Sequence, residues 1–345
     1  MSNPYAKLAP RAFWRSAVAG RSALDLEQVW NPRFAISAET PIATFGSCFA
    51  QHIGAALRAR GFNWLQTEPP PFGFSAAHAR AHGYDLFTCR TGNIYTAAML
   101  RQWTRWSLAA EPSPDEYWQQ DGRWFDPLRP GLEPGGFVSR AEAAALRAFA
   151  LAAFARAVRS AEVFVFTLGL TESWRHASGG FEYAICPGTR EGRFDPALHR
   201  FHNADYGEIL DELDAALTLM ARANPRLKFL LTVSPVALAA TATDDHVLVA
   251  TTESKSILRA VAGTLRRRRA EVDYFPSYEL VSSAALAGDR LAEDRRNASP
   301  EGVAEVMQVF FAALGAEEPR AAPPAASLAE AQCDEQLMDA FAPGG

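Results

Sequence analysis

The sequence predicts a three-layer α/β fold in which a parallel sheet of five strands lies between helices. Five short apolar runs have the length and composition of buried strands. Segments with helical periodicity follow these runs, and strands that alternate with helices are typical of doubly wound parallel sheets. The 345 residues, 48% of them hydrophobic, are enough to bury the core of such a domain.

The order of the predicted elements resembles a flavodoxin-like core. In a sheet of that kind, ligands bind beyond the carboxyl ends of the strands, so the segments that directly follow strands are where a site is expected. The predicted strands are 42–45, 62–65, 163–168, 229–233 and 272–275. The predicted helices are 48–60, 141–159, 206–223, 254–268 and 300–313.

The domain organisation that we expect is one α/β domain over residues 31–315, with an N-terminal extension, residues 1–30, before it. A large insertion, residues 68–161, follows the second predicted strand and is too long for a simple connection. It is rich in tryptophan, and we expect it to form a cap beside the site. The Ala/Pro-rich tail, residues 316–345, has the composition of a disordered or loosely docked segment.

Composition excludes several classes of function. The net charge is −5 and no dense basic block is present, so nucleic acid is not an expected partner. The four cysteines show no CxxC spacing, which argues against a zinc site and against a disulfide framework. We expect no metal and no cofactor. No signal segment and no apolar stretch long enough for a membrane span is visible, so the expected location is cytoplasmic. The oligomeric state stays open.

The strongest chemical signal is Gly46-Ser47-Cys48-Phe49-Ala50, between the first predicted strand and its helix. Glycine permits a sharp strand-to-helix turn. The turn leaves the Ser47 hydroxyl at a helix N-terminus, where backbone N–H groups and the helix dipole favour a developing oxyanion. Ser47 could instead serve only as a helix cap. Cys48 could act as a thiol nucleophile, but it points to a different face and is expected to be a small core residue.

This motif resembles the signature of the GSCFA family, whose members are similar to SGNH hydrolases. Further family-like blocks follow in order between about Asn31 and Leu314. They are Gly92-Asn-Ile-Tyr-Thr96, Phe166-Thr-Leu-Gly-Leu-Thr-Glu-Ser-Trp174, Thr232-Val-Ser-Pro-Val236, Ser254-Lys255-Ser256 and Tyr274-Phe-Pro-Ser-Tyr-Glu279. The resemblance implies an SGNH-type fold and an ester-active site.

In SGNH hydrolases a serine, a glycine, an asparagine and a histidine come from four blocks. The resemblance assigns Ser47 as nucleophile, with its backbone N–H as one oxyanion donor. The second position is Gly73 or Asn93, and both alternatives stay open. The third block usually reads Gly-x-Asn-Asp. Here Thr171 and Glu172 stand at its end, as a hydroxyl donor and as a carboxylate that orients a neighbour or only caps a helix.

The fourth block departs from the family pattern Asp-x-x-His. This chain has Asp294-Arg295-Arg296-Asn297, and an asparagine amide cannot accept the serine proton. The first alternative for the base is His246, on the carboxyl side of the sheet. His52 projects away from Ser47 on its helix. Three further histidines lie in long loops, namely His176, His199 and His202.

The resemblance implies an acyl esterase or O-acyltransferase that acts on a small-molecule or carbohydrate ester. A carbohydrate ester is expected because SGNH relatives often act on such esters and because tryptophans, in which the 68–161 insertion is rich, can stack on sugar rings. An alternative is a non-catalytic or rewired domain that binds its ligand in the former active-site pocket, and Asn297 is the feature that favours it. A third possibility is another group transfer, with an anionic donor held by basic residues. Those basic residues would be Lys255, Arg259 and Arg296.

Overall fold

Buried parallel strands form the centre of the protein in the computed structural model, which describes residues 3–316, 331 and 333–342. Among the described residues, two short 3₁₀ helices, Pro4–Lys7 and Pro10–Ala12, lie near the start of the chain, and another, Asp334–Phe341, lies near its end. The other elements are α1 (Trp14–Ala17), β1 (Ile42–Gly46), α2 (Phe49–Ala59), α3 (Ala76–Ala81), α4 (Ala97–Leu108), β2 (Trp118–Gln120), β3 (Arg123–Phe125), α5 (Arg140–Ser160), β4 (Val163–Leu168), β5 (Glu172–His176), β6 (Glu182–Tyr183), β7 (His199–Asn203), α6 (Tyr206–Ala223), β8 (Lys228–Val233), α7 (Val247–Arg268), β9 (Val272–Tyr274), α8 (Ser277–Ser282) and α9 (Pro300–Ala313).

The central sheet has the strand order β1-β4-β8-β9, and all of its pairs are parallel. Gly46 at the end of β1 pairs with Thr167, and Thr167 pairs in turn with Thr232 of β8. Almost every residue of these strands is buried. Continuous apolar strands of this kind require cover on both faces of the sheet.

Alternate side chains of the strands enter two separate cores. Phe45, Phe166 and Leu231 lie in the larger core, which helices α4, α5, α6 and α7 cover. Ile42 and Val165 lie in the other, which α2, α8 and α9 cover. This alternation follows from the two-residue repeat of a strand and produces an α/β arrangement with helices on both sides of the sheet.

The central sheet has four strands where the sequence predicts five. Residues 62–65 contribute only a single bridge, between Trp64 and Ile42. Beyond that bridge Thr88 lies along the edge of β1: its hydroxyl accepts from Thr44 N at 3.0 Å, and its carbonyl accepts from Thr67 N at 2.8 Å. The backbone groups that a longer second strand would have used are therefore bonded to Thr88.

The segment 68–161, for which we predict a cap, supplies two helices to the larger core. Helix α4 packs against α6, and α5 packs against α4 and α6. Trp103 of α4 is fully buried among them. The segment is therefore joined to the body of the domain through its core.

Two small antiparallel sheets complete the fold. One is the hairpin β2–β3, and the other has the order β6-β5-β7 directly after β4. Part of the tail for which we predict disorder or loose docking, residues 317–330, lies outside the described residues. Residues 333–342, here called the C-terminal segment, are described and contact the domain. None of the helices in the described ranges is long and apolar enough to cross a lipid bilayer.

Candidate functional site

The turn between β1 and α2 places Ser47. Gly46 has a φ of +134°, and a Cβ at this position would lie 2.4 Å from the carbonyl oxygen of Thr167. Only glycine allows both this dihedral angle and this close approach of the neighbouring strand. The turn carries Ser47 into the interior, where its side chain is 2% exposed.

The hydroxyl of Ser47 has no hydrogen-bond partner among the described residues. Its backbone N–H, for which we expected an oxyanion-donor role, donates to Thr167 O at 3.0 Å instead, because the ladder between β1 and β4 continues one residue past Gly46. A buried hydroxyl without a partner costs on the order of 1–3 kcal/mol. Such a group in a folded protein calls for an explanation, and a reactive or binding role is one.

Gly169 in the loop after β4 faces Ser47. A Cβ on Gly169 would lie 2.9 Å from the Cβ of Ser47 and 3.1 Å from the backbone oxygen of Tyr95. The same loop continues to Thr171, which is buried and whose N–H donates to Ser254 Oγ at 3.2 Å. The structure therefore brings Ser47 and the Gly169–Thr171 loop together, and α7 supports that loop from behind.

Glu172, the next residue, lies at the start of β5. Its carboxylate accepts a hydrogen bond from Thr241 Oγ1 at 2.7 Å and one from Ala242 N at 3.2 Å. Burial raises the pKa of Glu172, although these hydrogen bonds oppose the shift. The side chain thus ties the loop after β8 to the small sheet.

The structure separates the two alternatives for the second site position. Asn93 is buried beside the Ser47 turn, because the next residue, Ile94, donates its N–H to Gly46 O at 2.8 Å. The Asn93 side chain accepts from Gln51 Nε2 at 3.1 Å and donates to Asp334 Oδ2 at 2.7 Å. Gly73 lies in an exposed turn, with open space where a side chain would stand.

The loop with Asp294 and Asn297 lies between α8 and α9. The exposed carboxylate of Asp294 accepts from Arg296 N, Asn297 N and Asn297 Nδ2. Slight burial would raise the pKa of Asp294, but these hydrogen bonds lower it overall. The two residues therefore bind each other, and the neighbouring Arg296 extends to the Sγ atom of Cys333 at 3.9 Å.

His246, our first alternative for the base, is exposed at the N-terminal cap of α7, where its Nδ1 accepts from Leu248 N at 3.2 Å. His52 lies on α2 with its ring 5.7 Å from that of Phe49. The other three candidates belong to the small sheet, and His202, for example, contacts Glu208. None of the described histidines forms a hydrogen bond with Ser47 Oγ.

The structure places two further groups near Ser47, namely Lys255 and the C-terminal segment. The sequence analysis did not assign Lys255 as a base or the C-terminal segment as a wall of the site. Lys255 of α7 is 1% exposed, and its ammonium group donates to Gly169 O at 2.7 Å. The C-terminal segment brings Asp334 to Asn93 and Cys333 to Cys48. The family-like block Ser254-Lys255-Ser256 was a sequence signal for Lys255. The composition of the tail gave no signal for the contacts of the C-terminal segment.

A cavity of about 560 Å³ opens beside the Gly169–Thr171 loop. Apolar side chains form most of its wall, and Glu172 is the one charged residue in the wall that the described residues form. The tryptophans of the 68–161 segment are not part of the wall that the described residues form. Representative wall residues are Leu170, Trp174, Ile185, Phe201, Leu238 and Met338.

Comparison with curated proteins finds no match. Among solved structures, a Streptococcus pneumonia protein assigned as a platelet activating factor aligns at 14% identity and a TM-score of 0.27, over 45% of this chain and 60% of that one. A carbohydrate esterase family 2 enzyme with a carbohydrate-binding domain, from Corynascus thermopiles (Myceliophthora fergusii), aligns at 18% identity and a TM-score of 0.25, over 45% and 38%. This chain thus spans less than two thirds of either protein.

A family model gives the decisive match. It extends over residues 41–310, from the start of β1 almost to the end of α9, and includes the Ser47 turn, the Asn93 loop, the Gly169–Thr171 loop and Lys255. The C-terminal segment lies outside it. This chain belongs to the GSCFA family.

Proposed function

We propose that the protein is an ester-active enzyme of the SGNH type with Ser47 as its nucleophile. The observation that carries the proposal is the buried Ser47 hydroxyl near the N-terminus of α2, which has no hydrogen-bond partner in the part of the chain that the structure describes. Ser47 follows Gly46 and lies against Gly169, on which a Cβ would come within 2.9 Å of Ser47 Cβ. Ser47 Oγ would form a bond to the acyl carbon while the ester C–O bond breaks and the alcohol leaves with a proton. Water or an acceptor hydroxyl would then take the acyl group.

The reaction needs a group that accepts the serine proton. Lys255 fits this role by position, because its Nζ bonds to Gly169, the residue in contact with Ser47. His246, the N-cap of the same helix, lies nine residues before Lys255, which is about 13 Å along the helix axis. It is therefore less well placed than Lys255 to accept the Ser47 proton. Ser–Lys pairs are an established variant of the serine triad. A lysine must be neutral to act as base.

Asn93 is the side chain that supports an oxyanion site. Its Nδ2 already donates to a carboxylate oxygen, that of Asp334, at 2.7 Å. This carboxylate oxygen resembles the negatively charged oxygen of a tetrahedral intermediate, because both need hydrogen-bond donors. The phenol oxygen of Tyr95 lies 3.4 Å from the same Asp334 oxygen. Fixed donors of this kind stabilise developing charge.

The wall of the cavity indicates an ester with an apolar acyl group. Leu170, Trp174 and Leu238 offer apolar surface close to the loop that contacts Ser47. A volume of about 560 Å³ lies within the range of small-molecule sites. Stacking of a sugar on the tryptophans of the 68–161 segment, which motivated a carbohydrate substrate, has no support from this wall.

Labelling with a fluorophosphonate tests the proposal directly. Wild-type protein should be labelled at Ser47, and p-nitrophenyl esters should be hydrolysed faster as the acyl chain lengthens to fill the cavity. Ser47→Ala should abolish both. Ser256→Ala is the matched control, because that exposed hydroxyl on α7 bonds only to its own helix, at Thr252 O. Labelling that persists in Ser47→Ala would overturn the assignment of the nucleophile.

The identity of the base is tested by two further variants. Lys255→Met should reduce ester turnover by several orders of magnitude, as loss of a triad base does, while His246→Ala should leave it nearly unchanged. Because Lys255 is buried, the thermal unfolding temperature of Lys255→Met must be measured alongside. The reverse pattern, with loss in His246→Ala alone, would assign the base to His246.

A second candidate function is a non-catalytic domain that binds an acylated ligand in the same cavity. Asn297 at the family histidine position favours it, since its side chain bonds to Asp294 rather than to Ser47. In that case the wild type would neither react with fluorophosphonate nor turn over esters, yet would bind fatty acids in calorimetry. Asn297→His should then create activity that the wild type lacks.

A further inference from the structure

Two cysteines meet beside Ser47. Cys48 is the residue after the nucleophile, and Cys333 opens the C-terminal segment; both are buried and pack together with Val236. Their thiols are joined by a hydrogen bond. They are 285 positions apart in the chain, so only the fold brings them together. Two thiols in contact are the starting arrangement that formation of an S–S bond requires.

The surroundings of Cys333 favour its thiolate. The hydrogen bond from Cys48 lowers the pKa of Cys333 to about 6, and the Arg296 guanidinium, whose Nη2 is 3.9 Å from Sγ, acts in the same direction against burial. The other two cysteines differ. Burial raises the pKa of Cys89 well above its usual value and that of Cys186 to about 11. Thiolates are the form that reacts with oxidants.

The C-terminal segment is positioned by more than this contact. Asp334 accepts from Asn93 Nδ2 at 2.7 Å, and its backbone N–H donates to the Tyr95 phenol oxygen at 3.1 Å. Further along, Met338 and Phe341 contribute to the wall of the cavity. The segment therefore contacts the residue that follows Ser47 and the Asn93 loop beside it, and Ser47 itself is 2% exposed.

We propose that Cys48 and Cys333 form a reversible disulfide, with a hydroperoxide as oxidant, that fastens the C-terminal segment over Ser47. The Cys333 thiolate attacks one oxygen of hydrogen peroxide, and the O–O bond breaks. A sulfenic acid forms on Cys333, and the hydroxide that leaves takes up the proton lost by the Cys333 thiol to give one water. The Cys48 sulfur then attacks the Cys333 sulfur. The S–S bond forms, the hydroxyl leaves, and it takes the Cys48 proton to give a second water. Two thiols are oxidised, and one hydrogen peroxide is reduced to two waters.

Peptide mapping of the full chain tests this inference without reference to catalysis. The reduced protein is treated with limiting hydrogen peroxide, unreacted thiols are blocked, and the digest is analysed by mass spectrometry without reductant. The expected result is one linked peptide pair that contains Cys48 and Cys333 and that dithiothreitol resolves. Cys186→Ser is the matched control and should keep the linkage. Cys48→Ser should lose it and leave a Cys333 sulfenic acid that dimedone traps.

The effect on access is measured in the same samples. If the disulfide fastens the segment, the rate of fluorophosphonate labelling at Ser47 should fall at least about tenfold on oxidation, which corresponds to about 1.4 kcal/mol, and return with dithiothreitol. Cys48→Ser should show no such fall. This part rests on the proposed function, whereas the mapped linkage does not. Oxidation of Cys333 to sulfinic acid without linkage to Cys48, or a linkage through Cys89 or Cys186, would overturn the inference.

Discussion

Two glycines leave room for Ser47, and they do so by different physical means. Gly46 combines a φ of +134° with contact against the backbone of β4, so any other residue there would strain the sheet itself. Gly169 has no such dihedral constraint, and its restriction is the space beside Ser47 Cβ and Tyr95 O. The first glycine is required by the fold, and the second is required by the site.

Gly169→Ala therefore should impair the site more than the fold. The new methyl group would lie 2.9 Å from Ser47 Cβ, so the serine or the loop must shift. We expect fluorophosphonate labelling to fall at least about tenfold, since a displacement of about 1 Å can cost a hundredfold in rate, with a loss of unfolding free energy of about 1–3 kcal/mol. Gly135→Ala, where a Cβ meets open space, is the control. Unchanged labelling in Gly169→Ala would argue against Ser47 as the reactive group.

His52 gives a prediction for stability against pH. Burial, with a smaller effect of the Arg80 charge, lowers its pKa from the usual 6.5 to about 4. The folded protein therefore prefers the neutral ring. Its contribution is present above pH 6.5 and is lost as pH falls toward 4, because the unfolded chain binds the proton first. We expect up to about 2 kcal/mol less stability at pH 5 than at pH 7 from this group.

Urea unfolding of wild type and His52→Gln at pH 7 and pH 5 measures this contribution. The difference between the two pH values should be smaller in the variant by about the amount assigned to His52. His246→Gln is the control, because that ring is exposed and caps a helix by its own Nδ1. An equal pH dependence in wild type and His52→Gln would show that the ring is not desolvated.

For single residues, the sequence predicted geometry only where the residues involved are neighbours in the chain. The Ser47 turn could be predicted, because a glycine, a serine and a helix start are neighbours in the chain. The contacts of Asn93 with Asp334 and of Cys48 with Cys333 could not, since they join residues about 240 and 285 positions apart. The roles assigned to Thr171, Glu172 and Asn297 stay predictions that mutagenesis must test.

At the level of elements, buried strands and amphipathic helices were the most predictable. The predicted strand 163–168 and helices 206–223 and 300–313 agree with β4, α6 and α9 in every boundary. The small sheet β6-β5-β7 was missed. Its strands are rich in polar residues, such as Arg200 and His202 of β7, and they pair with each other rather than with an apolar layer. Neither alternation nor a continuous apolar run marks them in the sequence.

The C-terminal segment carries the prediction that belongs to this scale. Asp334→Ala removes the carboxylate that accepts from Asn93 Nδ2 and lies near the Tyr95 phenol. A hydrogen bond to a charged group contributes about 1.5–3 kcal/mol, so release of the segment should become at least about tenfold easier and Ser47 labelling correspondingly faster. Gln336→Ala, at an exposed position of the same segment, should change little. Slower labelling in Asp334→Ala would instead make the carboxylate part of the reactive site.

For the molecule as a whole, the sequence left open how the 68–161 segment packs. Its length and its tryptophans predicted a cap beside the site, which stays a prediction, and apolar residues of α4 and α5 complete the larger core with α6. Periodicity identified α5 as a helix and could not reveal which surface the helix covers. The apolar character of residues 62–65 likewise predicted a full strand. It could not reveal that Thr88 takes the hydrogen bonds along the edge of β1.

A buried ion cluster joins the middle of this segment to α5. Asp126 accepts hydrogen bonds from Arg129 and Arg147, and all three side chains are at most 2% exposed. Arg147 also donates to the backbone oxygens of Pro114 and Glu116. Burial would raise the pKa of Asp126, but the two guanidinium groups lower it overall, so the carboxyl group is held in its charged form. Removal of the carboxylate would leave two buried cations without their counterion.

Asp126→Ala should therefore lower the free energy of unfolding by about 3–5 kcal/mol, the usual loss when one partner of a buried ion pair is removed. Asp115→Ala, which breaks the exposed pair with Arg140, should cost less than about 1 kcal/mol. Because α5 shares the larger core with α6, we expect urea unfolding followed by tryptophan fluorescence and by far-ultraviolet circular dichroism to shift as one transition. Two separated transitions in Asp126→Ala, with Ser47 labelling intact after the first, would instead show that the 68–161 segment unfolds as an independent cap.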